Sequence, residues 1–239
     1  AALPEFFKTS LNVTRYKNIF PPQNSDEHYQ KFVRNYMRCV ASIDRSVGQV
    51  LDLLDRHKIS DETVVIFSSD HGFFLGEHGF GGKWLMYEPS IRVPMIVRAP
   101  GISKSMRGKA LNEMVLSIDL QPTVLEAAGV TPRNQSDGRS FWPLLQGKQP
   151  GDWRTDYLYR FHYGKTIAAC EGVRTDNFKY IAYFESTDRD HLNVTYEQLF
   201  DLRNDPGESL NLVGDVKFRD QLETLRRRHV TLRKQYYPQ

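Results

Sequence analysis

Between Val64 and Trp84 the chain runs VVIFSSDHGFFLGEHGFGGKW, an apolar stretch that ends in an acid and an imidazole, followed by glycines, a second histidine and a lysine. Asp70 and His71 pair a carboxylate with an imidazole, side chains that both coordinate divalent cations. Lys83 adds a compact positive charge suited to an oxyanion. Two ligands do not complete a site, since a hard cation such as calcium takes roughly 6–8 oxygen ligands. The spacing equally fits Asp70 capping the next turn with His71 satisfied nearby. His78, in GEHG, fits either a substrate-pocket residue or a turn-stabilising one.

Other chemistries fail on spacing. GFGGKW lacks the G-x-x-x-x-G-K spacing of a phosphate-binding loop, and Trp84 stands where Ser or Thr would follow the lysine. The chain has no H-E-x-x-H and no G-x-S-x-G elbow.

The elements that must position these residues are legible in outline. Residues 1–25 look irregular. From Glu27 to about His57, Phe32, Tyr36, Val40, Ile43, Val47, Val50 or Leu51, and Leu54 recur at steps of three and four, which predicts a long amphipathic helix. TVVIFSS, residues 63–69, lacks polar alternation and fits a strand buried on both faces, as in a parallel sheet covered by helices. Asp70 and His71 then lie at the strand's carboxyl end, where open α/β sheets bind ligands. VPMIVRAP predicts a second strand, and Ser117–Val130 a short helix with Pro122 near its start.

After residue 150 the texture changes. DYLYRFHYG, TIAACEGVRTDNFKYIAYF and YEQLFDL are aromatic and β-branched, with turns between them, and predict an antiparallel sheet. The tail carries Leu222, Leu225 and Leu232 on one side and closes the chain as an amphipathic helix, its RRRH predicted to be a solvated face. The expected division is an α/β part over 1–150 and a small α+β subdomain over 151–239.

With 40% hydrophobic and 12% aromatic residues, the 239-residue chain can bury a sizeable core. A net charge of +3 argues against nucleic-acid binding by bulk charge, and no apolar run reaches the length of a membrane span. Neither Cys39 nor Cys170 has a metal-like spacing, and both are expected as buried thiols. Asn12, Asn134 and Asn193 head N-x-S/T sequons. The opening AALPEFFKTS has the character of the interior of a longer protein, pointing to a processed or truncated polypeptide.

The segment TVVIFSSDHGFFLGEHGFGGKWLMYEPSIRVPMIVRAPG resembles the strand–loop–strand signature of the sulfatase family, in the alkaline-phosphatase superfamily. IDLQPTVLEAAGV, GRSFWPLL, GVRTDNFKYI and EQLFDLRNDPGESLNL continue the resemblance in the family's order over nearly the whole chain. It implies an α/β fold, part of a doubly wound alkaline-phosphatase-like sheet, followed by the small antiparallel subdomain. It also implies that Asp70 and His71 ligate the active-site cation, calcium ahead of magnesium or manganese, and that Lys83 contacts the sulfate oxygens. Many sulfatases carry Asn in place of the histidine. Asp-His also occurs in phosphonate and phosphate ester hydrolases of the superfamily. Arg92 is expected to pair structurally. Tyr159, Phe161, His162 and Tyr163 are candidates for a sugar pocket, with core packing the plainer use.

The family's nucleophile, a formylglycine made in a C/S-x-P-x-R motif, has no counterpart here: Cys39 precedes VASID and Cys170 precedes EGVRT. The resemblance therefore implies the C-terminal half of such an enzyme, inactive alone, with the N-terminal half as its partner and a sulfate ester, such as a sulfated sugar, as substrate. Neither nucleic acid nor membrane is an expected partner. By resemblance the compartment is periplasmic, secreted or lysosomal. The competing readings are a phosphonate or phosphodiester hydrolase and a non-catalytic fragment.

Overall fold

The computed structural model describes residues 4–21, 25–134, 136–162, 166–184 and 193–237. They form two compact units, one from residues 1–33, 71–93 and 155–239, the other from 34–70 and 94–154.

The first unit is organised by a four-stranded antiparallel meander: β5 (Asp156–Phe161), β6 (Ala169–Thr175), β7 (Phe178–Phe184) and β8 (Val194–Asp201), in that spatial order. These are the aromatic, β-branched segments expected as a sheet. The β6–β7 turn is fixed by Thr175, whose hydroxyl donates to the Phe178 carbonyl at 3.1 Å and accepts from its N–H at 3.0 Å. Side chains alternate between the faces. Tyr180, Ala182 and Phe184 pack with Leu222, Leu225 and Leu232 of α7 (Arg219–Tyr236), while Ile181 and Tyr183 pack with Phe7, Phe74, Phe80 and Met86.

Two helices precede this layer, α1 (Glu5–Lys8) and α2 (Leu11–Ile19), where the sequence suggested irregular chain. Ser10 caps α2 by accepting from the Val13 N–H at 3.4 Å, a usual N-terminal device. Two further short strands, β2 (Phe74–Leu75) and β3 (Gly81–Gly82), pair antiparallel, and α4 (Glu88–Ile91) follows them.

α3 (Ser25–Arg56) is the long helix that the periodicity predicts. Its apolar stripe is exposed: Tyr36, Val40, Ile43 and Val50 are 39–53% accessible. In the second unit β1 (Val65–Ser68) pairs with β4 (Met95–Arg98) in antiparallel register, Val65 opposite Arg98 and Ser68 opposite Met95. This corrects the parallel pairing inferred from the apolar run. The run is half-buried, and an unalternating half-buried strand accepts a neighbour of either direction. Phe141, Leu144 and Leu145 of the segment around α6 (Trp142–Leu145) form this unit's core with Met95, Val97 and Trp153. Asp119, fully buried before α5 (Leu120–Ala127), accepts from the backbone N–H of Leu116 and of Arg139, each at 2.7 Å, and pairs with Arg154.

Three further expectations are corrected. Cys39 is exposed on α3, while Cys170 is buried; burial pushes the Cys170 thiol up to about 12. RRRH is not a solvated face: Arg226 pairs with Glu197, Arg228 with Asp156 at 2.6 Å and His229 with Glu171 at 3.0 Å, because the acids on β5, β6 and β8 face this helix. Arg92 is exposed and makes no ion pair among the described residues.

Candidate active site

Asp70 is the last residue of its unit, exposed, two positions beyond the end of β1. His71 opens the next stretch of the other unit and is half-buried. Its Nδ1 lies 2.8 Å from the Gly72 carbonyl oxygen, so Nδ1–H donates there and the neutral ring carries its lone pair on Nε2. Gly72 is required by close approach: a Cβ would sit 2.1 Å from the Pro89 carbonyl oxygen, and the Gly72 N–H donates to Ser90 at 2.8 Å. The DHG turn is thereby pinned against α4.

α4 is anchored in turn by a buried charge cluster. Lys179, fully buried on β7, reaches Glu88 at 2.7 Å and Glu208 at 2.6 Å, and the Glu88 N–H donates to Glu208 at 2.6 Å. Burial raises the Glu208 carboxyl, and although burial also opposes the charge on Glu88, Lys179 outweighs it and holds Glu88 low.

Lys83 is half-buried and held through its backbone. The Asn12 amide on α2 donates to Gly81 O at 3.0 Å and to Lys83 O at 2.9 Å, and the Tyr159 hydroxyl donates to Trp84 O at 2.5 Å. Trp84 has φ of +88°, a left-handed conformation costly for a bulky residue and kept by these bonds. The Lys83 ammonium lies 5.6 Å from the Trp84 ring centroid.

His78 has φ of +57° and its ring lies 4.4 Å from that of Tyr87, with Phe74 and Phe80 nearby. Burial lowers its proton affinity. It lines a cavity of about 280 Å³ with Phe7, Lys8, Val13, Lys17 and Phe80. Of the proposed sugar-pocket residues, Tyr159 and Phe161 pack on the core and His162 lies 3.0 Å from Glu171; Tyr163 falls outside the described residues.

A carboxylate and an imidazole Nε2 suit a divalent cation, so Asp70 and His71 fit the ligand type. No group of three or more metal-ligating side chains occurs among the described residues. Sequence reasoning missed Asn12 and Arg15 on α2; the Ser10 cap was the available signal for that helix.

Two family models match: Sulfatase over residues 10–130, and N-sulphoglucosamine sulphohydrolase, C-terminal, over 76–235. The chain belongs to the sulfatase family. An N-acetylglucosamine-6-O-sulfatase of Bacteroides thetaiotaomicron is 32% identical over 213 residues, which is 87% of this chain and 37% of that protein. A solved structure in complex with its substrate D-glucosamine-2-N,6-O-disulfate superposes with a TM-score of 0.76 at 29% identity, covering 93% of this chain and 44% of the other. A phosphonate monoester hydrolase of Agrobacterium radiobacter gives 0.71 at 26%, covering 82% and 40%. The fold is thus the α/β, alkaline-phosphatase-like one that the resemblance implies. The family member spans under half the length of these relatives.

Proposed function

We propose that this chain supplies the C-terminal part of a sulfatase that hydrolyses sulfate esters of sugars, amino sugars foremost. The observation carrying this reading is that both family models run through GEHGFGGKW, residues 76–84, in which the Lys83 backbone is held by Asn12 and its ammonium lies beside Trp84, while the Sulfatase model alone also covers Asp70 and His71. The nucleophile, a formylglycine, would come from an N-terminal half acting as partner. Residues up to about 150 would then complete the larger α/β layer, with 151–239 as the small subdomain.

Asp70 and His71 would hold the divalent cation, calcium ahead of magnesium or manganese, which supplies Lewis-acid stabilisation of charge on the sulfuryl oxygens. Lys83 contacts those oxygens and offsets the negative charge they gain as the S–O ester bond breaks. Its fixed backbone means little reorganisation accompanies that stabilisation. His78 serves on the substrate side of the loop. The sequons at Asn134 and Asn193 are exposed, which suits a secreted or lysosomal compartment, and periplasmic export fits equally. Among the described residues no helix is long and apolar enough to cross a membrane.

The test supplies a sulfatase N-terminal half, in cis or in trans, and measures sulfate release from an aryl sulfate and from glucosamine 6-sulfate. Release should appear, and Asp70→Asn or Lys83→Ala should cost about 100-fold or more in kcat/KM. Faster turnover of an aryl phosphonate would favour the second reading, which the phosphonate hydrolase likeness supports. No turnover of either ester would leave the chain as a non-catalytic fragment.

A further inference from the structure

We propose that Arg15 is a specificity-determining residue that binds a second sulfo group of the substrate, beside the one that Lys83 contacts. This rests on the sulfatase reading of Lys83. Arg15 projects from α2, and its guanidinium carbon lies 4.5 Å from the Trp84 ring centroid, the same ring that Lys83 approaches at 5.6 Å. The approach requires a glycine at position 82, where a Cβ would meet the Arg15 Nη1 at 2.8 Å and φ is +93°.

The partners of Arg15 set it apart. The other half-buried arginines of this unit are each paired with an acid: Arg160 and Arg233 with Glu171, Arg174 with Glu88, Arg226 with Glu197 and Arg228 with Asp156. Among the described residues Arg15 has no carboxylate, and neither has Lys83. Two half-buried cations share one indole with no acid among the described residues to neutralise them. Mutual repulsion at such a place is relieved by anionic ligand charge.

The two cations differ in what they recognise. An ammonium is a point charge, whereas a guanidinium stacked on an aromatic face keeps its N–H edge in plane for bidentate pairing with an oxyanion. With distances of 4.5 and 5.6 Å to one ring centroid, the two charges are at most about 10 Å apart, within reach of a single sugar carrying two sulfo groups. A sugar with one sulfo group would engage Lys83 alone; a disulfated one would engage both.

Isothermal titration of the chain with inorganic sulfate, glucosamine 6-sulfate and glucosamine bearing both N- and 6-O-sulfo groups tests this. The disulfated sugar should bind more tightly. Arg15→Gln should weaken it by about tenfold, the worth of one charge-assisted hydrogen bond, and leave the monosulfated sugar unchanged. Arg15→Lys, which keeps the charge and loses the fork, should fall between. An absent preference for the disulfated sugar, or an equal effect of Arg15→Gln on both sugars, overturns the proposal. Lys83→Ala should weaken both sugars. If it weakens neither while the Arg15 effect persists, the role of Lys83 fails and that of Arg15 stands. An unchanged near-ultraviolet tryptophan spectrum in Arg15→Lys shows that the platform is folded.

Discussion

The side-chain amide of Asn12 donates to the Lys83 carbonyl at 2.9 Å, across 71 positions of sequence. The same amide holds Gly81 O at 3.0 Å, and the residue is fully buried. One side chain on α2 thus fixes the backbone of the proposed sulfate-binding lysine.

Removing that amide leaves two carbonyls without their donor. Asn12→Ala should lower the stability of its unit by about 1–3 kcal/mol, the cost of buried acceptors left unpaired. Asn12→Asp should cost more, since it sets a carboxylate against the same carbonyls. Urea titration followed by circular dichroism measures both. Equal stability of all three proteins would show that the bonds add nothing. Burial also makes the Asn12 sequon unusable in the folded chain, so glycans from a glycosylating host should map to Asn134 or Asn193 alone.

Glu171 on β6 is the hub that ties α7 to the sheet. Its carboxylate is fully buried and faces His162 and His229, each at 3.0 Å, with Arg160 at 3.1 Å and Arg233 at 3.2 Å. Burial alone would raise its pKa, but the close contacts of His162 and His229 and the charge of Arg233 outweigh it and hold it at about 2. The folded value lies below the ordinary 4.5, so the stabilisation is present above pH 4.5 and is lost as pH falls towards 2. Stability measured between pH 5 and 2 should fall steeply in the wild type and more shallowly in Glu171→Gln. At neutral pH that variant should be weaker by about 3–5 kcal/mol, as for a buried pair losing one partner. A Glu171→Gln curve parallel to the wild type in acid would refute the assignment.

What the sequence disclosed depended on how far each signal reached. The stripe from Phe32 to Leu54 made α3 readable, and the abrupt end of VVIFSS at Asp70 placed the acid and imidazole at a strand end. Long-range partners left no such mark. Asn12 bonds to backbone carbonyls, which no residue type announces, so α2 passed as irregular chain. RRRH looked solvated because its acids, Asp156, Glu171 and Glu197, lie on strands 29 to 72 positions away. The antiparallel partner of β1 was invisible for a different reason: hydrophobic pattern constrains which faces are buried, and strand direction only weakly.

Asp119 gives the second unit its own polar anchor. A fully buried carboxylate takes two backbone N–H donors at 2.7 Å and the Arg154 guanidinium, and Arg154 and Arg139 stack on Trp153 at 5.4 and 4.8 Å. Asp119→Ala should strand Arg154 and both N–H groups, at about 3–5 kcal/mol. Trp153 emission should shift with it, while the Glu171 variants leave that signal unmoved at neutral pH. A Trp153 signal unaffected by Asp119→Ala would remove the proposed anchor.

The two cysteines report on what covers α3. Cys39 is exposed on that helix, and Cys170 is buried, its thiol pushed up to about 12 by burial. Reactivity follows the accessible thiolate, so at pH 8 an aromatic disulfide reagent should label one cysteine rapidly and the second only on unfolding. Cys39→Ser should abolish the rapid phase. The apolar stripe of α3, with Val40 at 45% and Ile43 at 51% exposure, brackets Cys39 and lies open in the isolated chain. If the proposed N-terminal half packs there, its addition should slow Cys39 labelling by at least tenfold under the conditions in which the proposed sulfate release is measured. Restored activity with Cys39 still fully reactive would place that half against a different face of the chain.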